Sequence, residues 1–271
     1  MLYEPVNLLA GQNPASVAIA DLNGDDSLDL AVTTLSDQGF AVLYNLASDS
    51  VVLSDTGTGS DGLLRIDGDN SEQLDFLVPS GPLTIDLGAG DDSLTIASLE
   101  ASFATELTIN GGAGADTLDA SAVTAAVTLN GGDGDDVLTG GGGNDQLNGQ
   151  AGTDTLVATL QSGESLLLTN TRLDGLSNDA LSSIEQAELN GNADDNLIVA
   201  VTFSGNVTVL AGAVNDTVLA GSGNDRLEGG PGEDQLEGFG GNDIILGQGG
   251  GDTLLGGAGM DSLAGGDGDD R

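Results

Sequence analysis

Residues 223–243 read GNDRLEGGPGEDQLEGFGGND, with an aspartate every nine residues at Asp225, Asp234 and Asp243. Followed outward, the same period runs through seven consecutive units from Ala211: AGAVNDTVL, AGSGNDRLE, GGPGEDQLE, GFGGNDIIL, GQGGGDTLL, GGAGMDSLA and the shortened GGDGDDR. The sixth residue is aspartate in all seven: Asp216, Asp225, Asp234, Asp243, Asp252, Asp261 and Asp270. The eighth residue of the six complete units is Val218, Leu227, Leu236, Ile245, Leu254 and Leu263, so an apolar point accompanies each acidic one. A second run from Gly131, GGDGDDVLT, GGGGNDQLN and GQAGTDTLV, places Asp136, Asp145 and Asp154 in the same way. Looser copies are LGAGDDSLT from Leu87 with Asp92, GGAGADTLD from Gly111 with Asp116, and NGNADDNLI from Asn190.

Glycines at the first, second and fourth positions permit backbone angles closed to other residues, so the first six residues of a unit can form a tight turn. The last three form a short strand. Two units then make a flattened coil, and coils stack by parallel strand pairing at about 4.8 Å. The fold expected is an all-β parallel β-roll, or β-solenoid, in two blocks. Stacking would place Asp216, Asp234, Asp252 and Asp270 along one edge, and Asp225, Asp243 and Asp261 along the other. Two carboxylates about 5 Å apart repel by ~3 kcal/mol at an effective dielectric of 20. Summed along both edges, this rivals the ~5–15 kcal/mol stability of a typical domain. The stack therefore needs a cation. Carboxylates and peptide carbonyls without His or Cys are hard oxygen donors, which select calcium over zinc or copper and, by geometry, over magnesium. Folding and the binding of several Ca2+ ions should then be one event.

On these residues the chain resembles the RTX, or hemolysin-type, calcium-binding repeat family, whose pattern GGxGxDxUx is matched by GGGGNDQLN, GGPGEDQLE and GGAGMDSLA. The resemblance covers residues 87–157 with interruptions and 211 to the end. It implies a parallel β-roll of a protein secreted by Gram-negative bacteria that folds on meeting calcium outside the cell. Departures from the pattern fall at Val214 in the fourth position and at Gln150, Phe239 and Gln248 in the second, where weaker sites are expected.

Between the clean runs the spacing lengthens. Asp116 to Asp136 spans 20 residues and Asp195 to Asp216 spans 21, through the β-branched passages VTAAVTL and VTFSGNVTVL. These predict strands in larger coils of the same stack. Residues 158–210 are expected to bridge the blocks (83–157 and 211–271) as strands and turns, with room for a short helical piece within about 158–189.

Residues 1–50 differ in kind. VAIA and DLAVTT flank the acidic loop DLNGDDSLD, and FAVLYNL follows, which predicts one antiparallel β unit. Oxygen-bearing side chains at Asp21, Asn23, Asp25 and Asp29 alternate as a loop wrapped around one calcium would require. The twelfth position is Val32, which excludes an EF-hand. VAIADLNGDDSLDLAV is similar to the FG-GAP/VCBS repeat of integrin-type β-propellers, which implies a propeller-blade-like unit and, since one repeat makes no propeller, a longer parent protein. Residues 51–82 are expected to connect the two regions.

The chain carries 44 Asp plus Glu against four Lys plus Arg, a net charge of −40, no Cys and no His. Its only cations are Arg65, Arg172, Arg226 and Arg271, so nucleic acid and anionic surfaces are disfavoured partners. No run of about 18 apolar residues predicts a membrane span, and no signal peptide is visible. Without His, Cys or Lys, and without a Gly-x-Ser-x-Gly elbow, most nucleophilic and acid–base catalysis is excluded, and no enzyme is expected within these residues. An ice-binding solenoid would need a regular Thr or Asn row, but the third positions of the long run are Ala213, Ser222, Pro231, Gly240, Gly249, Ala258 and Asp267. Two readings stay open: a calcium-binding structural or adhesion region of a large extracellular bacterial protein, with cell-surface or matrix components as partners, or the accessory region of a secreted enzyme or toxin.

Overall fold

The protein is described by a computed structural model covering residues 14–20, 28–34, 40–46, 50–55, 63–68, 73–77, 82–99, 106–175 and 177–271, with side chains at 52–54, 64–66, 82–99, 106–175 and 177–271. Every regular element among these residues is a strand, and the parallel β-solenoid expected from the nine-residue period is the architecture observed. The chain divides into two compact units, Met1–Gly152 and Thr153–Arg271.

In the first unit, Pro14–Ala20, Leu28–Thr34 and Phe40–Leu46 form a three-stranded antiparallel sheet. The loop holding Asp21, Asn23 and Asp25 lies outside the described residues, as does the side chain of Asp29. Ser50–Asp55, Leu63–Gly68 and Gln73–Leu77 pair antiparallel, and Ser50–Asp55 also runs parallel to Ser93–Ile96. From there the solenoid builds two parallel stacks. Ser93–Ile96, Thr117–Asp119 and Val137–Thr139 make one, and Leu83–Ala89, Leu107–Ala113, Val127–Asp133 and Gln146–Ala151 make the other.

The second unit repeats the plan. Thr155–Thr159, Gln186–Asn192, Asn206–Gly212, Arg226–Pro231, Ile244–Gly249 and Ser262–Asp267 stack in parallel, as do Ser165–Thr169, Leu197–Thr202, Thr217–Leu219, Gln235–Glu237 and Thr253–Leu255. The helical piece allowed for residues 158–189 is not formed among the described residues. That stretch holds Ser165–Thr169, Arg172–Asp174 and Asn178–Ser182, an antiparallel excursion from the coil, followed by Gln186–Asn192. Its alternating apolar residues Leu166, Leu168, Leu173 and Leu181 are all buried, the period of two that a half-buried strand requires.

Register explains the eighth position. Val218 pairs with Leu236 and Leu236 with Leu254, while Leu227 pairs with Ile245 and Ile245 with Leu263, so each coil is 18 residues long. In the first unit Leu94 pairs with Leu118 and Leu118 with Leu138, across coils of 24 and 20 residues. The leucine column is unbroken across both. Val218, Leu227, Leu236 and Ile245 are 0% exposed, so the core is a thin column of aliphatic side chains between two sheets. Each such side chain contributes roughly 1.5–3 kcal/mol by leaving water. Outside the column, a second ladder runs over the first unit: Asn130 Nδ2 donates to Asn110 Oδ1 at 2.7 Å, and Asn148 Nδ2 to Asn130 Oδ1 at 2.8 Å.

The turns show why glycine recurs. Gly232, at φ +157°, faces the carbonyl of Val214 in the preceding coil so closely that a Cβ would collide with it. The four departures noted in the sequence, Gln150, Val214, Phe239 and Gln248, keep the glycine conformation, with φ of 78°, 69°, 68° and 77°. A left-handed backbone at a non-glycine residue costs on the order of 1–3 kcal/mol, most at a β-branched one such as Val214.

Candidate metal centre

Each turn folds its aspartate inward over the first-position residue. Asp116, Asp216, Asp225, Asp234, Asp243 and Asp252 are buried, at 0–2% exposure. Stacking then links them in series. The backbone N–H of Asp216 donates to Asp234 Oδ1 at 2.8 Å, that of Asp234 to Asp252 Oδ1 at 2.9 Å, and that of Asp252 to Asp270 Oδ1 at 2.9 Å. On the other edge Asp225 donates to Asp243 Oδ1 at 2.9 Å and Asp243 to Asp261 Oδ1 at 3.1 Å. In the first unit Asp92 donates to Asp116 and Asp116 to Asp136, both at 2.8 Å. Asp154 donates instead to Glu185 Oε2 at 3.0 Å, so a glutamate takes the acceptor role there.

The second carboxylate oxygen is different. Oδ2 of Asp116, Asp216, Asp234, Asp243 and Asp252 is buried without a hydrogen-bond partner. A buried carboxylate oxygen left bare costs several times an ordinary hydrogen bond. Burial accordingly pushes the carboxyl pKa of Asp116, Asp234 and Asp243 upward, against the lowering effect of the backbone N–H on each. Asp216 is pushed up to about 6, by burial first and then by the charges of Asp234 and Asp195. The ion pairs Arg172–Asp174 and Arg226–Glu228 are exposed surface pairs.

The donor chemistry fits a hard cation. A Cβ on Gly229 would meet both Asp234 Oδ2 and the carbonyl oxygen of Gly247, one on Gly238 would meet Asp243 Oδ2 and Gly256 O, and one on Gly247 would meet Asp252 Oδ2 and Gly265 O. The missing side chain thus opens a cradle lined by a carboxylate of one coil and a carbonyl of the next. Among the described residues no three acidic side chains converge, so peptide carbonyls must complete any coordination sphere.

Comparison with known families decides what the turns are. The family model HemolysinCabind, the RTX calcium-binding nonapeptide repeat in four copies, matches residues 108–122, 128–156, 210–245, 219–254 and 237–271. These are RTX calcium-binding nonapeptide repeats. RTX repeats bind multiple Ca2+ ions and generally form structural regions rather than catalytic ones. No curated protein matches the chain.

One frame needs correction. Read from Asn190, the copy NGNADDNLI has Asp195 in the sixth position. The structure puts Asn196 there: its N–H donates to Asp216 Oδ1 at 2.7 Å, and its own Oδ1 accepts from Asn192 N–H at 2.8 Å. Ile198, not Leu197, is then the buried eighth residue. The spacing from Asn196 to Asp216 becomes 20 residues, the same as Asp116 to Asp136. Asp195 occupies the fifth position, where the structure holds a ladder that the sequence reading missed. There Asn215 N–H donates to Asp195 Oδ1 at 3.1 Å, Glu233 to Asn215 Oδ1 and Asn242 to Asn224 Oδ1, both at 2.8 Å. The recurrent Asn at 215, 224 and 242 was the available signal.

Proposed function

We propose that the chain is a calcium-folded structural or adhesion region of a large secreted or cell-surface bacterial protein. Its RTX aspartates, foremost Asp116, Asp216, Asp234, Asp243 and Asp252, would hold the ions together with turn carbonyls. The bare, buried Oδ2 atoms carry this reading, since a divalent cation is what turns each from a cost into a bond. Asp92, Asp136, Asp154, Asp261 and Asp270 extend the same ladders. A separate ion at Asp21, Asn23, Asp25 and Asp29 follows from the alternation of oxygen side chains in that loop.

The extracellular setting is supported by the energetics: a chain of net charge −40 whose acids are forced together gains its fold where calcium is abundant and not where it is scarce. Among the described residues no helix is long and apolar enough to cross a membrane. The test is limited proteolysis of the whole chain at sub-micromolar and millimolar calcium. Resistance appearing only at millimolar calcium is expected; equal resistance at both would remove the argument for folding after export.

A further inference from the structure

Two of the sixth-position aspartates are built unlike the rest. Asp225 Oδ1 accepts the N–H of Val207 at 2.8 Å, and its Oδ2 accepts the N–H of Gly221 at 3.1 Å. Asp145 repeats the arrangement in the other unit, with Val127 N–H on Oδ1 at 2.9 Å and Gly141 N–H on Oδ2 at 2.8 Å. Both oxygens are therefore engaged by backbone donors, whereas Oδ2 of Asp234, Asp243 and Asp252 is bare.

The coil before each of these two residues is unlike the others as well. Its turn is apolar: Ala120 and Val123 are buried before Asp145, and Ala200 and Phe203 before Asp225. Each is closed by its own hydrogen bond, Val123 N–H to Ala120 O at 3.1 Å and Phe203 N–H to Ala200 O at 2.9 Å. No acid faces the ladder from residues 120–127 or 200–207. A cation drawn to either carboxylate would have to share each oxygen with an N–H that points its positive end there, a repulsion that the bare Oδ2 of Asp234, Asp243 and Asp252 does not impose.

We infer that Asp145 and Asp225 are hydrogen-bonding caps that join an apolar turn to the second unit of each nonapeptide run, and are not calcium ligands. This rests on the calcium reading of the remaining aspartates. It makes sequence-identical positions differ in role, and it makes Asp243 the first ion-holding aspartate on the edge of Asp225, Asp243 and Asp261.

The experiment is a count of bound calcium by equilibrium dialysis on the full chain and on Asp225→Asn, Asp145→Asn and Asp243→Asn at saturating calcium. Asp243→Asn should bind one ion fewer. Asp225→Asn and Asp145→Asn should bind the wild-type number, with the calcium midpoint for folding raised several-fold because one N–H of each cap loses its acceptor. A lost ion in either cap variant overturns the inference. Should a cap variant fail to fold, calcium-loaded crystals of the wild-type chain decide by anomalous scattering. Ions at Asp234 and Asp243 but none within about 2.6 Å of the Asp145 and Asp225 carboxylates are expected, and an ion on either cap overturns the assignment. A wild-type chain that binds no calcium would instead remove the functional reading itself.

Discussion

Replacing Asp216 by Asn separates the two roles of a ladder aspartate. The substitution is nearly isosteric, and the coil before it already carries Asn196 in the equivalent place with its N–H on Asp216. An Asn at 216 keeps the Oδ1 acceptor for Asn196 and the backbone donor to Asp234, and replaces the charged, bare Oδ2 by a neutral NH2. With the carboxyl of Asp216 at about 6 rather than 3.8, its ionised form at neutral pH is disfavoured by roughly 3 kcal/mol. In chelator at pH 7 the variant should therefore be more stable than the wild type, by up to about 3 kcal/mol. In millimolar calcium the order should reverse, with one ion fewer bound. Urea titrations in chelator and in calcium, followed by far-UV circular dichroism, read both arms. A variant destabilised in chelator with calcium affinity unchanged would refute the reasoning, since Asp216 would then be a structural cap.

Three further outcomes follow from the same geometry. Acid should partly substitute for calcium. The raised carboxyls of Asp116, Asp216, Asp234 and Asp243 give the metal-free fold stability that is fully present below their unfolded pKa near 3.8 and lost as pH rises, through about 6 for Asp216, so β structure in chelator should grow on acidification over that window. Leu236→Ala should cost about 2–5 kcal/mol in calcium, measured by urea denaturation, because Leu236 is 0% exposed between Val218 and Leu254 in a column one side chain thick. Val214→Gly should raise stability by up to about 1 kcal/mol, the relief of a β-branched residue at φ 69° less the added chain entropy of glycine, and a loss of stability would show the turn to be unstrained.

The nine-residue period made most of this fold legible. Position eight predicted the leucine column, position six predicted the ladder, and the two-unit coil placed Asp216, Asp234 and Asp252 on one edge as observed. What the period could not reveal lies where residues of one type differ in backbone context. Asp225 and Asp234 share a sequence position, but only the turn conformation at Gly221 brings an N–H to Asp225 Oδ2. The frame at Asn190 slipped by one because Asp194, Asp195 and Asn196 are all candidates by residue type, and only the burial of Ile198 selects Asn196. Residues 158–189 lack the nine-residue period; their alternating leucines mark strands, but the pairing with Leu197–Thr202 and Asn206–Gly212 in following coils is not written in any local pattern.

The most direct test of the central claim is a far-UV circular dichroism titration of the whole chain with calcium, against magnesium at equal ionic strength. A cooperative gain of β structure with calcium, absent with magnesium and reversed by chelator, is the result predicted. β structure that is the same in calcium, magnesium and chelator would mean that the buried ladder of aspartates holds its fold without a metal, and would contradict the account.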